Sequence, residues 1–261
     1  MIDTKLILIE GPPGSGKTTT AEKLAAEISD HGKPCQYFIE WGKDNPISVG
    51  DDPDLAEVIA SSVSREEDVI KQWRRFVQER ESEDTVSIME SRFWQSTVMF
   101  MYIAGHSARG VLESNQRVID IIQPLKPILI CFTIDDYKTL FRQTGQARTE
   151  QGWDREISWE QHVFNALEPQ KWLTDRGLKG EEGLLRLIEA FDLLRKDLYD
   201  SLPFTKIRIH DPHHDWGLAM QQMRDFLEIP HTLRSRLSAL WRTLLSWTGM
   251  KERQEPKDNG L

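Results

Sequence analysis

The stretch Gly11-Pro12-Pro13-Gly14-Ser15-Gly16-Lys17-Thr18 constrains this chain most. Three glycines within six residues permit backbone angles and close approaches that any side chain would block. Before them, Leu6-Ile7-Leu8-Ile9 is an unbroken apolar run, the pattern of a strand buried on both faces. After them, Ala21, Leu24, Ala25 and Ile28 recur at helical spacing. Strand, glycine turn and helix in this order make a backbone cradle for anions. The N–H groups of Gly11, Gly14, Ser15 and Gly16 and the positive end of the helix can face a polyphosphate. Lys17 would bridge its outer phosphates, the Thr18 hydroxyl would hold Mg²⁺, and Thr19 would join the loop in binding it.

The chain has 261 residues, and strand-like runs alternate with helical patterns over residues 5–228. That alternation predicts one α/β domain over 1–230 with an appended segment, 231–261. A formal net charge of −9 argues against a broad surface for a nucleic-acid polymer. Cys35 and Cys131 fall in strand-like runs and read as buried thiols of a reducing cytosol rather than a disulfide framework. The N-terminus reaches strand residues at once, without a signal-peptide pattern, and no apolar run approaches a membrane span. The expectation is a cytoplasmic protein.

Cys35-Gln36-Tyr37-Phe38-Ile39 reads as a second strand ending at Glu40-Trp41. Carboxyl ends of strands form the ligand crevice of an open parallel sheet, so Glu40 is a candidate base for an attacking hydroxyl. Trp41 could stack on a substrate or simply pack at the rim. Thr85–Met89 reads as a third strand running into Glu90-Ser91-Arg92. A carboxylate there suits Mg²⁺, and an arginine just beyond suits a transferring phosphoryl group. Ile128–Ile134 reads as a fourth strand, followed by Asp135-Asp136, which suits either a metal or a helix N-terminus. Arg142, Arg148 and Arg155 thread a basic, glycine-bearing stretch, 142–156, that could close as a lid on phosphates; surface ion pairing is the bland alternative. A single helix is expected near 157–173, and Lys206–His210 alternates as a last strand. The loop Asp211–Asp215 reads as lying beside a nucleotide base, and a helix over 216–228 closes the domain. Beyond it, Leu233, Leu237, Leu240, Leu244 and Trp247 form an apolar stripe in a segment with six basic residues against three acids. Docking on the parent domain, a homodimer contact or an anionic membrane would each cover it.

The P-loop, Phe38–Trp41, the run Arg92-Phe93-Trp94-Gln95-Ser96-Thr97, and Arg148 with Gly152–Arg155 together resemble the thymidylate kinase and deoxynucleoside kinase group of P-loop kinases. The resemblance implies a three-layer sandwich: a five-stranded parallel sheet of order 2-3-1-4-5 with helices on both faces, here with an extra C-terminal helix. It also implies ATP–Mg²⁺ as phosphoryl donor and a small-molecule acceptor, nucleoside- or nucleotide-like. Lys17, Glu40, Arg92, Arg148 and Arg155 would be catalytic. Arg142 would join the loop residues on the nucleotide, and Thr18 and Glu90 would hold the metal. Thymidylate kinases carry Asp directly before the arginine, where this chain has Ser91. Either Glu90 takes over the magnesium role or the site is altered. No Arg-Glu-Pro or Glu-Pro signature follows the second strand, so the base-reading residues do not carry over. A P-loop ATPase acting on protein partners, or a nucleotide-binding module without kinase activity, is the alternative.

Overall fold

The computed structural model describes residues 3–48, 54–153 and 156–230. The expected helix over 231–261 lies outside them. Five strands form one sheet of order β2-β3-β1-β4-β5: β1 Leu6–Glu10, β2 Cys35–Phe38, β3 Val86–Glu90, β4 Ile128–Thr133 and β5 Thr205–His210. Every pairing is parallel, with Ile9 opposite Glu90 and Glu10 opposite Cys131. All five carboxyl ends therefore emerge along one rim.

β1 shows why the sheet is covered twice. Its side chains alternate, and Leu6 and Leu8 enter one core while Ile7 and Ile9 enter another. The Ile7–Ile9 side packs on α1 (Lys17–Asp30) through Ala21, Leu24 and Ile28. The Leu6–Leu8 side meets a larger helical layer. It contains α2 (Leu55–Ser61) and α3 (Glu66–Glu81), the latter inserting Ile70, Trp73, Phe76 and Val77. After β3 the chain makes a π-helical turn, Trp94–Met99, and continues as α4 (Phe100–Ile103) and α5 (Ala108–Ile122). Beyond β4 come α6 (Tyr137–Glu150), α7 (Trp159–Leu167), α8 (Lys171–Thr174) and α9 (Gly180–Ser201). α10 (Trp216–Phe226) then joins α1, contributing Ala219, Met220 and Met223 to the second core.

The helix expected near 157–173 is two. α7 stops before Glu168-Pro169, and α8 restarts at Lys171, because a proline ring and its missing N–H do not fit a continuous helix. The stretch read as a lid begins inside a regular helix: α6 runs unbroken to Glu150 before the chain turns at Gly152, whose φ is 86°. Asp136 caps α6 through its carboxylate on the Thr139 N–H, so of its two readings the structure shows the cap.

Candidate active site

Because β2, β3 and β1 are neighbours, the acids that end them stand side by side. Glu40 follows β2, and Glu90 and Glu10 close β3 and β1; all three are buried. Glu90 is the hub. One carboxylate oxygen accepts the Thr18 hydroxyl at 3.1 Å and the Glu40 backbone N–H at 3.0 Å, and the other accepts the Ser91 hydroxyl at 3.1 Å. The hydroxyl at the head of α1 and the carboxylate at the end of β3 are thus in direct contact. Ser91 occupies the left-handed region at φ 63°, uncommon for a residue with a side chain, and such strain collects at functional sites. It turns the chain sharply, so that Arg92 faces the end of β2.

Arg92 is almost wholly enclosed. Its guanidinium donates to the Glu40 backbone carbonyl and, at 3.1 Å, to the Ser96 hydroxyl, and it lies 5.4 Å from the centre of the Trp41 ring. It braces the Glu40 turn. The Glu40 carboxylate accepts from the Gln95 amide at 3.0 and 3.3 Å. Burial pushes its pKa up to about 7; the Glu90 and Glu10 charges reinforce that rise, and Lys17 and Arg92 oppose it.

Glu10 escaped the sequence reading. Its carboxylate accepts the backbone N–H groups of Phe93 at 2.8 Å, Trp94 at 2.9 Å and Gln95 at 3.2 Å, fastening β1 to the start of the π-helical turn. Burial raises its pKa to about 7 against the pull of those N–H groups and Lys17. The available signal was an acid closing an apolar run just before the first loop glycine.

The glycine loop is built as its residue types require. Gly14 and Gly16 have φ of 83° and 88°. A Cβ on Gly14 would collide with Thr144 of α6, and one on Gly16 with Trp216 of α10. His213 also bonds the Gly14 carbonyl at 3.1 Å, so the 211–215 loop leans on the phosphate cradle. Lys17 is buried and donates to the Pro12 carbonyl at 3.0 Å, inside its own loop. The Ser15 hydroxyl is fully enclosed without a protein partner. A buried, unpartnered hydroxyl beside Gly11, with a lysine held inside the same loop, fits a polyphosphate. The Thr18–Glu90 contact supplies the hard oxygen donors that Mg²⁺ prefers.

Of the arginines expected at the site, the structure does not bring Arg142 and Arg148 into this cluster. Arg142 is ion-paired with Glu181 of α9 at 2.9 Å, and Arg148 is exposed on the last turn of α6. Arg155 lies outside the described residues. The three-residue cluster Asp135, His210 and Asp211 sits exposed at the ends of β4 and β5. No described helix is long and apolar enough to cross a membrane.

No protein-family model matches the chain, and no curated protein does. Among solved structures, a deoxyadenosine kinase from M. mycoides with bound dATP is similar over 85% of this chain and 99% of its own, at TM-score 0.44 and 14% identity. A candidate kinase from Chloroflexus aurantiacus is similar over 87% of this chain and 100% of its own, at TM-score 0.37 and 17% identity. Neither likeness bears on activity. The sheet order and the glycine loop between β1 and α1 themselves give the chain the P-loop three-layer fold that the resemblance implied.

Proposed function

We propose that this chain is an ATP-dependent phosphotransferase acting on a hydroxyl of a small, nucleoside- or nucleotide-like acceptor. The observation that carries the reading is the contact chain from loop to base: Thr18 to Glu90, and Glu90 to the backbone of Glu40, whose carboxyl has a pKa near 7. A cradle for phosphates alone would suit any nucleotide-binding module. A buried carboxyl poised to take a proton beside that cradle suits transfer to a hydroxyl.

In this reading the triphosphate lies on the amides of residues 14–18, and Lys17 leaves the Pro12 carbonyl for its outer oxygens. Thr18 and Glu90 would hold Mg²⁺, which supplies positive charge to the phosphates when bound. Glu40, oriented by Gln95, takes the acceptor's proton as the acceptor oxygen bonds to the terminal phosphorus and the bond to ADP breaks. Arg92 keeps the Glu40 turn in place. A partly open cavity lies next to this point, between α3 and the π-helical turn, lined by Arg65, Val69, Ser96, Thr97, Met101 and Asn115 among others. We assign the body of the acceptor to it.

The test is transfer of labelled phosphate from ATP across nucleosides, nucleoside monophosphates and hydroxylated antibiotics. A labelled product that disappears in Lys17→Ala supports the reading. No product from any acceptor, or turnover and ATP affinity untouched in Lys17→Ala, overturns it.

A further inference from the structure

A second, partly open cavity lies between the glycine loop and α9. It is lined by Pro12, Pro13, Glu10, Gln95, Asp192 and Arg195, with Trp94, Met99, Ile188 and Phe191 as its apolar wall. Its position is informative. Lys17 donates to Pro12 on one side, and Gln95 holds the Glu40 carboxylate on the other. The cavity thus borders both the loop that would hold the donor and the residue that orients Glu40.

Arg195 is the cation in that cavity that no motif announces. Its side chain keeps only 11% of its exposure. The guanidinium donates to the Phe132 backbone carbonyl at 3.3 Å and pairs with Asp192 at 2.8 Å. The same Phe132 carbonyl lies against Gly11, the first residue of the loop. The guanidinium is therefore pinned at the foot of the loop, on a rigid helix. Meanwhile Arg142 is committed to Glu181 and Arg148 points to solvent. An arginine with one acid partner, a carbonyl contact and donors to spare suits planar recognition of phosphate oxygens.

We propose that Arg195 is a catalytic cation of this site, touching the terminal phosphoryl group of a nucleoside triphosphate in competition with its resting partner Asp192. The assignment rests on the kinase reading above. During transfer the phosphorus–oxygen bond to ADP breaks and the bond to the acceptor oxygen forms. The acceptor's proton goes to Glu40, and Arg195 neutralises charge on the moving group without exchanging a proton. The apolar wall keeps water from competing there and strengthens the contact.

The consequence is selective: Arg195 recognises the phosphate that ATP has and ADP lacks. Calorimetric titration of the full-length protein with ATP and with ADP, each with Mg²⁺, reads it. In Arg195→Gln, ATP affinity should fall about tenfold or more while ADP affinity barely moves, the loss of a charge-assisted contact. Arg195→Lys should recover part of the preference. Asp192→Asn should raise the preference for ATP, because it frees the guanidinium from a competing anion. A structural role would shift both nucleotides equally, and equal factors in Arg195→Gln overturn the assignment. Should Arg195→Gln not fold, Asp192→Asn decides: a preference unchanged or lowered also overturns it. If the wild type binds ATP, Lys17→Ala abolishes that binding and the Arg195 variants leave the ratio alone, only Arg195 falls. If the wild type binds no ATP, the kinase reading and this assignment fall together.

Discussion

At the scale of single residues, the site turns on how burial treats each carboxylate. Among the described residues only the Gln95 amide bonds the Glu40 carboxylate, desolvation dominates, and its pKa reaches about 7. A base must be ionised to accept a proton. The kcat/KM for the acceptor should therefore rise with pH up to about 7 and level off above it. Glu40→Gln should lower kcat by about 10²- to 10⁴-fold and erase that limb of the profile. An unchanged profile in Glu40→Gln would remove Glu40 from the chemistry. On Glu90, three donors from Thr18, Ser91 and the Glu40 backbone converge. Replacing it by Gln should leave ATP binding without metal nearly intact. The Mg²⁺ concentration for half-maximal transfer should rise about tenfold or more. A magnesium titration at fixed ATP checks this, and an unshifted midpoint would take the metal role away from Glu90.

At the scale of elements, Glu10 ties β1 to the turn that carries Arg92, Gln95 and the π-helical segment. Removing its carboxylate in Glu10→Ala leaves three N–H groups without that acceptor, two of them buried and one half-buried. That should cost about 2–4 kcal/mol and lower the melting temperature, since unpaired buried donors keep their full desolvation penalty. Denaturant unfolding measures it; a loss below about 0.5 kcal/mol, within the range of an ordinary surface substitution, would show that the turn holds without the anchor. The same element shows where reading a chain succeeds. The glycine loop was legible because its backbone demands, its preceding strand and its following helix all fall within 25 residues, 6–30. The strands were legible from apolar runs, and α9 from its leucine spacing. Glu10 was not, because an acid before a glycine looks like any strand end until the turn 83 residues later folds onto it. Arg195 was hidden for the same reason: on α9 it reads as part of a polar face, and only the docking of that helix carries it to the loop. The break at Pro169 was legible and passed over, since proline alone forbids the continuous helix expected there.

At the scale of the whole molecule, the parallel sheet collects its carboxyl ends on one rim, and that concentration of buried acid has a thermodynamic consequence. In the unfolded chain Glu10 and Glu40 ionise near 4.5, whereas in the fold each holds its proton up to about 7. Between those values the folded state binds more protons than the unfolded state, so stability falls as pH rises through that window. Below about 4.5 both states are protonated and the two groups cost nothing; above about 7 both are ionised and the cost is complete. Each group accounts for on the order of 3 kcal/mol over the window. The two act on one another, so together they amount to less than twice that. Burial also raises Asp192, in the same direction. Asp3 is held below its ordinary value by Lys126, Asp136 by Thr139, and Glu181, against its desolvation, by Lys138 and Arg142, so their contributions change at more acidic pH. The protein should therefore melt several degrees higher near pH 5 than near pH 8. Glu40→Gln should flatten that slope by one carboxyl's share, since an amide has no charge to bury, whatever it does to activity. Equal slopes in wild type and Glu40→Gln would mean that the folded chain carries Glu40 ionised across the window. The crevice would then be wetter and less able to strengthen the charges that phosphoryl transfer requires.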